Sequence, residues 1–336
     1  MYSNIEVSEE RIFMEHSAFR INQYIRENKF GDLIQFAERL HDGQYDMLLR
    51  LIIEANNSTE DGNFVGAVLV TGPSSSGKTT FSHQLCQKLE DKGFSCTVIS
   101  VDDYYLNRDE ICRRQIERGE KPKEGEAFDF ECIEAFDVPL FRKQMTSFVN
   151  GEEVELPVYD FTIGRPEYNS GRKIQTDGHD ILIVEGIQAM NPLMWDGIGF
   201  SRTFKVYICP FNVYSADGGE DVITSNQIRF MRRAIRDHAK RDSTLAYTMH
   251  MWPAVRKGEE NYIKPMKKFA DFFFNSSLCY EIAFLKKRIY EMREELNDED
   301  KEQLEKFLSF EALEHFIPHG GFIVPKNSIF NEFYYE

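Results

Sequence analysis

Apolar residues recur along this chain in two different rhythms. Before residue 63 they fall at helical spacing: Ile21, Tyr24 and Ile25, then Leu33, Ile34, Phe36, Ala37 and Leu40, then the apolar positions of 46–53. Residues 1–63 therefore read as a helical extension, closed by the polar, glycine-containing loop 56–63. His16 and His41, which fall in it, read as packing or surface histidines rather than ligands. The rhythm then changes to short, mainly apolar runs at 64–70, 96–101, 180–184 and 204–209, with another at 269–274. Runs of that length, bounded by turn residues, are how strands of a parallel sheet covered on both faces look. Helical patterns intervene, one over 80–89 stopped by Gly93 and another over 282–296. Residues 107–127 are charged and poor in apolar positions, a loop with helical pieces. The pattern predicts an α/β fold, a three-layer α/β/α arrangement around a mainly parallel sheet. Its domains are an extension at 1–63, a core at 64–295, and a helix and tail at 296–336 that packs on the core.

One stretch gives this pattern a chemistry. Gly72, Pro73, Ser74, Ser75, Ser76, Gly77, Lys78 and Thr79 fit G-x-x-x-x-G-K-[ST], and Thr80 continues into the helix. The glycine-rich turn follows a strand and opens a helix, so its backbone N–H groups and the helix N-terminus converge on one point and favour an anion there. Lys78 would reach the outer phosphates of a nucleoside triphosphate, and the Thr79 hydroxyl would take a place on Mg²⁺.

Further candidates stand at the ends of the other strands, where ligands of open parallel sheets bind. Asp102 and Asp103 end the run 96–101. A carboxylate there either accepts a proton from an acceptor hydroxyl or caps the following turn. Glu185 ends the run 180–184 and either approaches Mg²⁺ or caps the turn into Gly186. The aromatic and acidic stretches 128–131 and 157–165 either line a polyol or nucleoside pocket or pack at its rim. Arg229, Arg232, Arg233 and Arg236 lie along one side of a helix. Close like charges repel unless an anion neutralises them, so this row reads either as a lid over a triphosphate or as a solvated face paired with acids.

Composition narrows the classes. The net charge of −16 argues against a protein that coats nucleic acid or an anionic membrane. No apolar run nears the ~20 residues of a membrane span, and Met1 to Glu6 shows neither a basic nor an apolar leader. Six scattered cysteines point to reduced thiols and a cytoplasmic location. A homo-oligomer is left open. No Asn-Lys-x-Asp string supports a GTPase switch.

Taken together, the motifs resemble the phosphoribulokinase/uridine kinase family of P-loop kinases. The resemblance rests on 72–80, on Ser100-Val101-Asp102-Asp103-Tyr104-Tyr105, on Phe128-Asp129-Phe130-Glu131, on Tyr159-Asp160-Phe161, on Val184-Glu185-Gly186-Ile187 and on the arginine row. The strings 252–260 and 271–276 are similar to a bacterial-type nucleoside kinase branch. Many members of that branch carry N-terminal domains resembling part of threonyl-tRNA synthetase, of which this chain resembles only the connecting helices. The resemblance implies ATP- and Mg²⁺-dependent phosphorylation of a hydroxyl on a small acceptor, in uridine kinases the ribose 5′-OH. It makes Asp102 the general base and places Asp129 on the ribose hydroxyls, with Tyr104, Tyr159 and Arg165 also on the acceptor side. It puts Glu185 on the Mg²⁺ side and the four arginines in the lid. Where uridine kinases have a base-contacting histidine, this chain has Ile163-Gly164-Arg165, and Gln188 stands where the branch often shows histidine. A kinase for a sugar phosphate and a non-catalytic nucleotide-binding regulator are the rival readings.

Overall fold

The structure, a computed structural model, describes residues 16–57, 65–176, 178, 180–199, 202–216 and 222–335. The leader reading at 1–6, most of the loop read at 56–63 and most of the glycine- and acid-containing stretch 215–220, whose composition reads as a loop, lie outside the described residues. The chain divides into two compact units that interleave in sequence. One comprises Gln44–Ile208 and His250–Phe274, and the other the described parts of Met1–Gly43, Cys209–Met249 and Asn275–Glu336. The sequence reading drew its boundaries at 63 and 295.

The first unit carries the sheet. Its strands are β1 (Ala67–Thr71), β2 (Cys96–Ser100), β3 (Ile181–Glu185), β4 (Thr203–Cys209) and β5 (Phe272–Asn275), in spatial order β5-β4-β1-β3-β2. β1 pairs in parallel with β3 and β4, and β3 in parallel with β2. Every residue of β1 and β3 is buried, as expected of strands enclosed on both faces. The Lys78–Glu90 helix buries Phe81, Leu85 and Leu89 completely, each worth about 1.5–3 kcal/mol relative to exposure. Phe81 stacks on Tyr45 at 5.2 Å between ring centres and tilts against Phe274 at 4.7 Å. This anchors the helix whose N-terminus closes the phosphate loop. Four of the five sheet strands match the predicted runs closely. The fifth is shorter than the 269–274 run: Pro265 opens a 3₁₀ stretch over Lys264–Phe269, and pairing starts only at Phe272.

Residues 107–127 are more ordered than their polarity suggests. Arg108–Glu117 is one helix, capped by the Asn107 side chain on the Asp109 N–H at 3.1 Å and laced by the Arg113–Glu117 and Arg114–Glu110 pairs. Charged helices of this kind are held by i,i+4 pairs and caps, which a search for apolar periodicity does not detect. The short strands Val158–Asp160 and Arg165–Glu167 form the antiparallel turn read at 157–165.

In the second unit the Ser225–Arg241 helix, opened by a capping box of Thr224 and Gln227, packs on Glu281–Glu294. The Ala18–Arg26 helix is tied in through Asn22, which donates to the His315 carbonyl at 2.6 Å and accepts from Ile317 N–H at 2.8 Å. The tail docks by its aromatics: Phe330 is fully buried, with Phe284 and Tyr280 5.7 and 5.5 Å away. Among the described residues, no helix is long and apolar enough to cross a membrane.

Candidate active site

The phosphate loop turns where β1 ends. At Gly72 a Cβ would stand 2.0 Å from the Ile208 carbonyl oxygen of β4, so the chain can turn only if this residue has no side chain. Ser75 and Gly77 take positive φ values of 58° and 90°. These left-handed residues within the turn build the concave run of N–H groups that receives anions. Lys78, the first residue of the helix, is buried, and its ammonium donates to the carbonyls of Gly72 and Pro73 at 3.0 and 3.2 Å. Thr71 Oγ1 donates to the carbonyls of Gly186 and Ile187 at 3.0 and 2.9 Å, locking the loop's root to the turn after β3.

The oxygen groups of Thr79, Glu185, Ser100 and Asp102 gather at the carboxyl-end side of β1, β2 and β3. Thr79 Oγ1 donates to Glu185 Oε1 at 3.0 Å. Register sets Ser100, at the end of β2, opposite Glu185, and Asp102 lies in the 3₁₀ turn that follows. Glu185 is 2% exposed. Burial pushes its carboxyl up and the Asp102 charge adds to this; Lys78 and the Ser100 and Thr79 hydroxyls oppose it, and the result is about 7. The Asp102 N–H is held by Ser100 Oγ at 3.3 Å, while Asp102 Oδ1 is buried without a hydrogen-bond partner among the described residues. Asp103 serves the scaffold: it accepts from Tyr159 N–H at 3.3 Å and from Arg172 at 3.1 Å. Burial nevertheless holds its carboxyl above the usual range.

Asp129 lies half-buried in a loop clamped by Gln115, which donates to its carbonyl at 2.5 Å and accepts from its N–H at 3.0 Å. Gln188 donates to the Glu131 carbonyl at 2.6 Å, so the residue at the branch's histidine position braces this loop. Tyr159 joins an aromatic group with Tyr105 and Phe161, at 5.4 and 5.0 Å. Arg165 is exposed, 3.9 Å from Asp109. Tyr104 departs from the expectation of a substrate contact. It is 1% exposed, its ring packs edge-on against Phe141 and its hydroxyl donates to Gln144 at 2.7 Å, so it belongs to the core.

The arginine row, in the other unit, is also different from its sequence reading. Arg232 is fully buried, bound to Glu281 at 2.6 and 2.9 Å and to the Ser276 carbonyl at 2.7 Å, with its guanidinium 4.9 Å from the Phe333 ring centre. Arg233, Arg236 and Arg241 share Asp237 at 3.3, 2.8 and 3.4 Å. Burial pushes the Asp237 carboxyl up, but these guanidinium groups outweigh it and hold it near 2. Arg236 also meets Glu332 at 3.4 Å, and Arg229, fully buried, donates to Asn226 at 2.9 Å. Of the arginines assigned to a triphosphate, or to a solvated face, Arg232, Arg233 and Arg236 pair with Glu281, Asp237 and Glu332 within this unit.

A parallel sheet whose first strand feeds a phosphate-binding loop, with carboxylates at the end of the adjoining β3 and just after β2, one strand further out, has the architecture of a P-loop NTPase. The model of the Phosphoribulokinase / Uridine kinase family matches residues 67–213. It is 28% identical over 203 residues to a uridine kinase of Lactobacillus johnsonii and 29% identical to one of Lactobacillus helveticus, covering 60% of this chain and 82% of each relative. Among solved structures, phosphoribulokinase from Rhodobacter spheroides has a TM-score of 0.41 at 15% identity, over 61% of this chain and 68% of that one. D-glycerate 3-kinase from Cryptococcus neoformans has a TM-score of 0.39 at 14% identity, over 82% and 88%. The sequence matches to the family model and to these relatives support a small-metabolite kinase, a phosphotransferase with an alcohol as acceptor.

Proposed function

We propose that the protein transfers the γ-phosphate of Mg-ATP to a hydroxyl of a small acceptor, the 5′-OH of a ribonucleoside. The observation that carries this reading is the unpartnered, buried Asp102 Oδ1 at the same sheet edge as the Thr79–Glu185 pair. A buried carboxylate oxygen with spare acceptor capacity is costly unless something hydrogen-bonds to it. An acceptor hydroxyl would do so, leaving its proton on Asp102 as the oxygen attacks.

The donor set fits the group that the reading requires. A threonine hydroxyl and a carboxylate in contact beside a phosphate loop are hard oxygen ligands of the kind Mg²⁺ takes. Thr79 and Glu185 would hold the metal, whose chemistry is to neutralise charge on the transferring phosphate. The loop N–H groups and Lys78 would bind and orient the phosphates. Asp129 would hold the ribose hydroxyls.

A kinase for a phosphorylated sugar is the second reading, and Arg108 favours it. The turn 161–164 wraps its side chain: Nη2 donates to the Phe161 carbonyl at 2.9 Å, and a Cβ at Gly164 would meet Nε at 2.8 Å. The bond to Phe161 uses one of the five N–H donors of the Arg108 guanidinium, which leaves others for an anionic acceptor. A coupled ADP-release screen over ribonucleosides, ribulose 5-phosphate and pantothenate tests both. Turnover with a ribonucleoside is expected. No acceptor-dependent ADP release with any of them would refute the kinase reading.

A further inference from the structure

The acceptor end of the site contains a residue that no motif pointed to. The helix Leu245–Gly258 continues into a π-helical turn, Glu259–Ile263, an irregularity that frequently marks a functional position. From this turn the half-buried Tyr262 donates its hydroxyl to Asp129 Oδ2 at 2.9 Å, while Glu131 N–H donates to Oδ1 at 2.9 Å. Gly258 is what lets the two segments meet, since a Cβ there would lie 2.3 Å from Glu131 Cβ. Burial and then the Asp129 charge push the Tyr262 phenol well above its ordinary range, so it stays a donor at every physiological pH.

A carboxylate offers about four acceptor positions. One on each Asp129 oxygen is already taken, which leaves one on each free, and the Tyr262 oxygen keeps its own lone pairs. The cluster therefore offers acceptors without donors, beside further acids at Glu131 and Glu134. It suits two hydroxyls on neighbouring carbons and disfavours a phosphate or carboxylate at the same place.

We propose that Tyr262 is a specificity-determining positioning residue, which fixes the Asp129 carboxylate so that the pair recognises the vicinal diol of the acceptor. This inference rests on the ribonucleoside reading above. It predicts that the chain separates ribose from deoxyribose acceptors and that Tyr262 sets the ratio.

The test is steady-state kinetics of the full chain and of Tyr262→Phe, with a ribonucleoside and its 2′-deoxy and 3′-deoxy counterparts. A hydrogen bond to a charged group typically carries one to two orders of magnitude. KM for the ribonucleoside should rise about tenfold in Tyr262→Phe. The ribo-to-deoxy ratio of kcat/KM should fall by about the same factor, while kcat and KM for ATP change less than about twofold. In a double-mutant cycle, Tyr262→Phe should add little further loss to Asp129→Asn. An unchanged ribo-to-deoxy ratio, a loss confined to kcat, or additive losses in the cycle would overturn the inference while leaving the kinase reading intact. A wild-type chain that phosphorylates only non-nucleoside acceptors, or none, would overturn both.

Discussion

Replacing Glu185 by Gln should stabilise the metal-free protein while impairing turnover. The carboxyl is raised from an ordinary 4.5 to about 7, chiefly because it is buried, so the folded state resists ionising it. Below 4.5 the group is protonated whether the chain is folded or not, and contributes nothing to the pH dependence. Between 4.5 and 7 the unfolded chain loses this proton more readily than the folded one, and stability falls as pH rises. Above 7 the loss levels off. At about 1.4 kcal/mol per pH unit, the gap amounts to an upper limit of roughly 3 kcal/mol. Glutamine keeps the shape and an oxygen for the Thr79 hydroxyl but has no charge to bury. Thermal unfolding in EDTA from pH 4.5 to 8.5 reads the effect. Tm of Glu185→Gln should match wild type at the acid end, exceed it increasingly towards pH 7 and then hold a constant lead. Adding Mg-ATP should reverse the order, because only the wild type gains the metal-dependent part of ligand stabilisation. A lead independent of pH, or a variant less stable than wild type at pH 8 in EDTA, would refute this account of Glu185.

Asp102→Asn should bind ATP with normal affinity and lower kcat by ~10²–10⁴; near-normal single-turnover transfer would remove Asp102 from the chemistry. Gly72→Ala would force a side chain against a backbone carbonyl at 2.0 Å, so nucleotide affinity should be lost together with several kcal/mol of stability. Wild-type ATP titration by that variant would contradict the described loop. Arg232→Met should cost about 3–5 kcal/mol by stranding Glu281, with much of it restored in Arg232→Met/Glu281→Leu. A variant that is stable but inactive would instead return Arg232 to the catalytic set.

The sheet was legible because its information is local. The runs that became β1 to β4 are mainly apolar, most completely in the enclosed β1 and β3, and the loop's glycines and Lys78 are fixed by the same backbone geometry wherever such a loop occurs. Helical pieces were read within 107–127 but the bounds of Arg108–Glu117 were not, because its stability lies in a cap and ion pairs rather than an apolar stripe. Tyr104 was misplaced for a related reason. A tyrosine beside a candidate catalytic aspartate reads as a contact, and only the position of Gln144, forty residues on, shows that its hydroxyl points into the core. The contact of Tyr262 with Asp129 was not legible at all. The only signal available was the glycine at 258 followed four residues later by an aromatic, which has no meaning until the 129–131 loop is known to pass 2.3 Å from that glycine's missing Cβ.

The arginine row shows why charge spacing is weaker evidence than loop geometry. A phosphate loop constrains its own backbone, so its function is encoded within eight residues. A guanidinium is defined by what lies opposite, and for Arg232 that is Glu281, forty-nine residues away. For Arg236 it is Asp237, the next residue, and Glu332, ninety-six away. Helical spacing correctly placed these side chains on one helix, yet it could not tell a bound phosphate from a buried carboxylate, because both satisfy the same fork of donors. The two differ in what salt does to them. Exposed charges awaiting a ligand are screened as ionic strength rises, whereas buried pairs are screened much less. The stability of this unit should therefore depend on salt far less than a row of four arginines and two flanking basic residues implies.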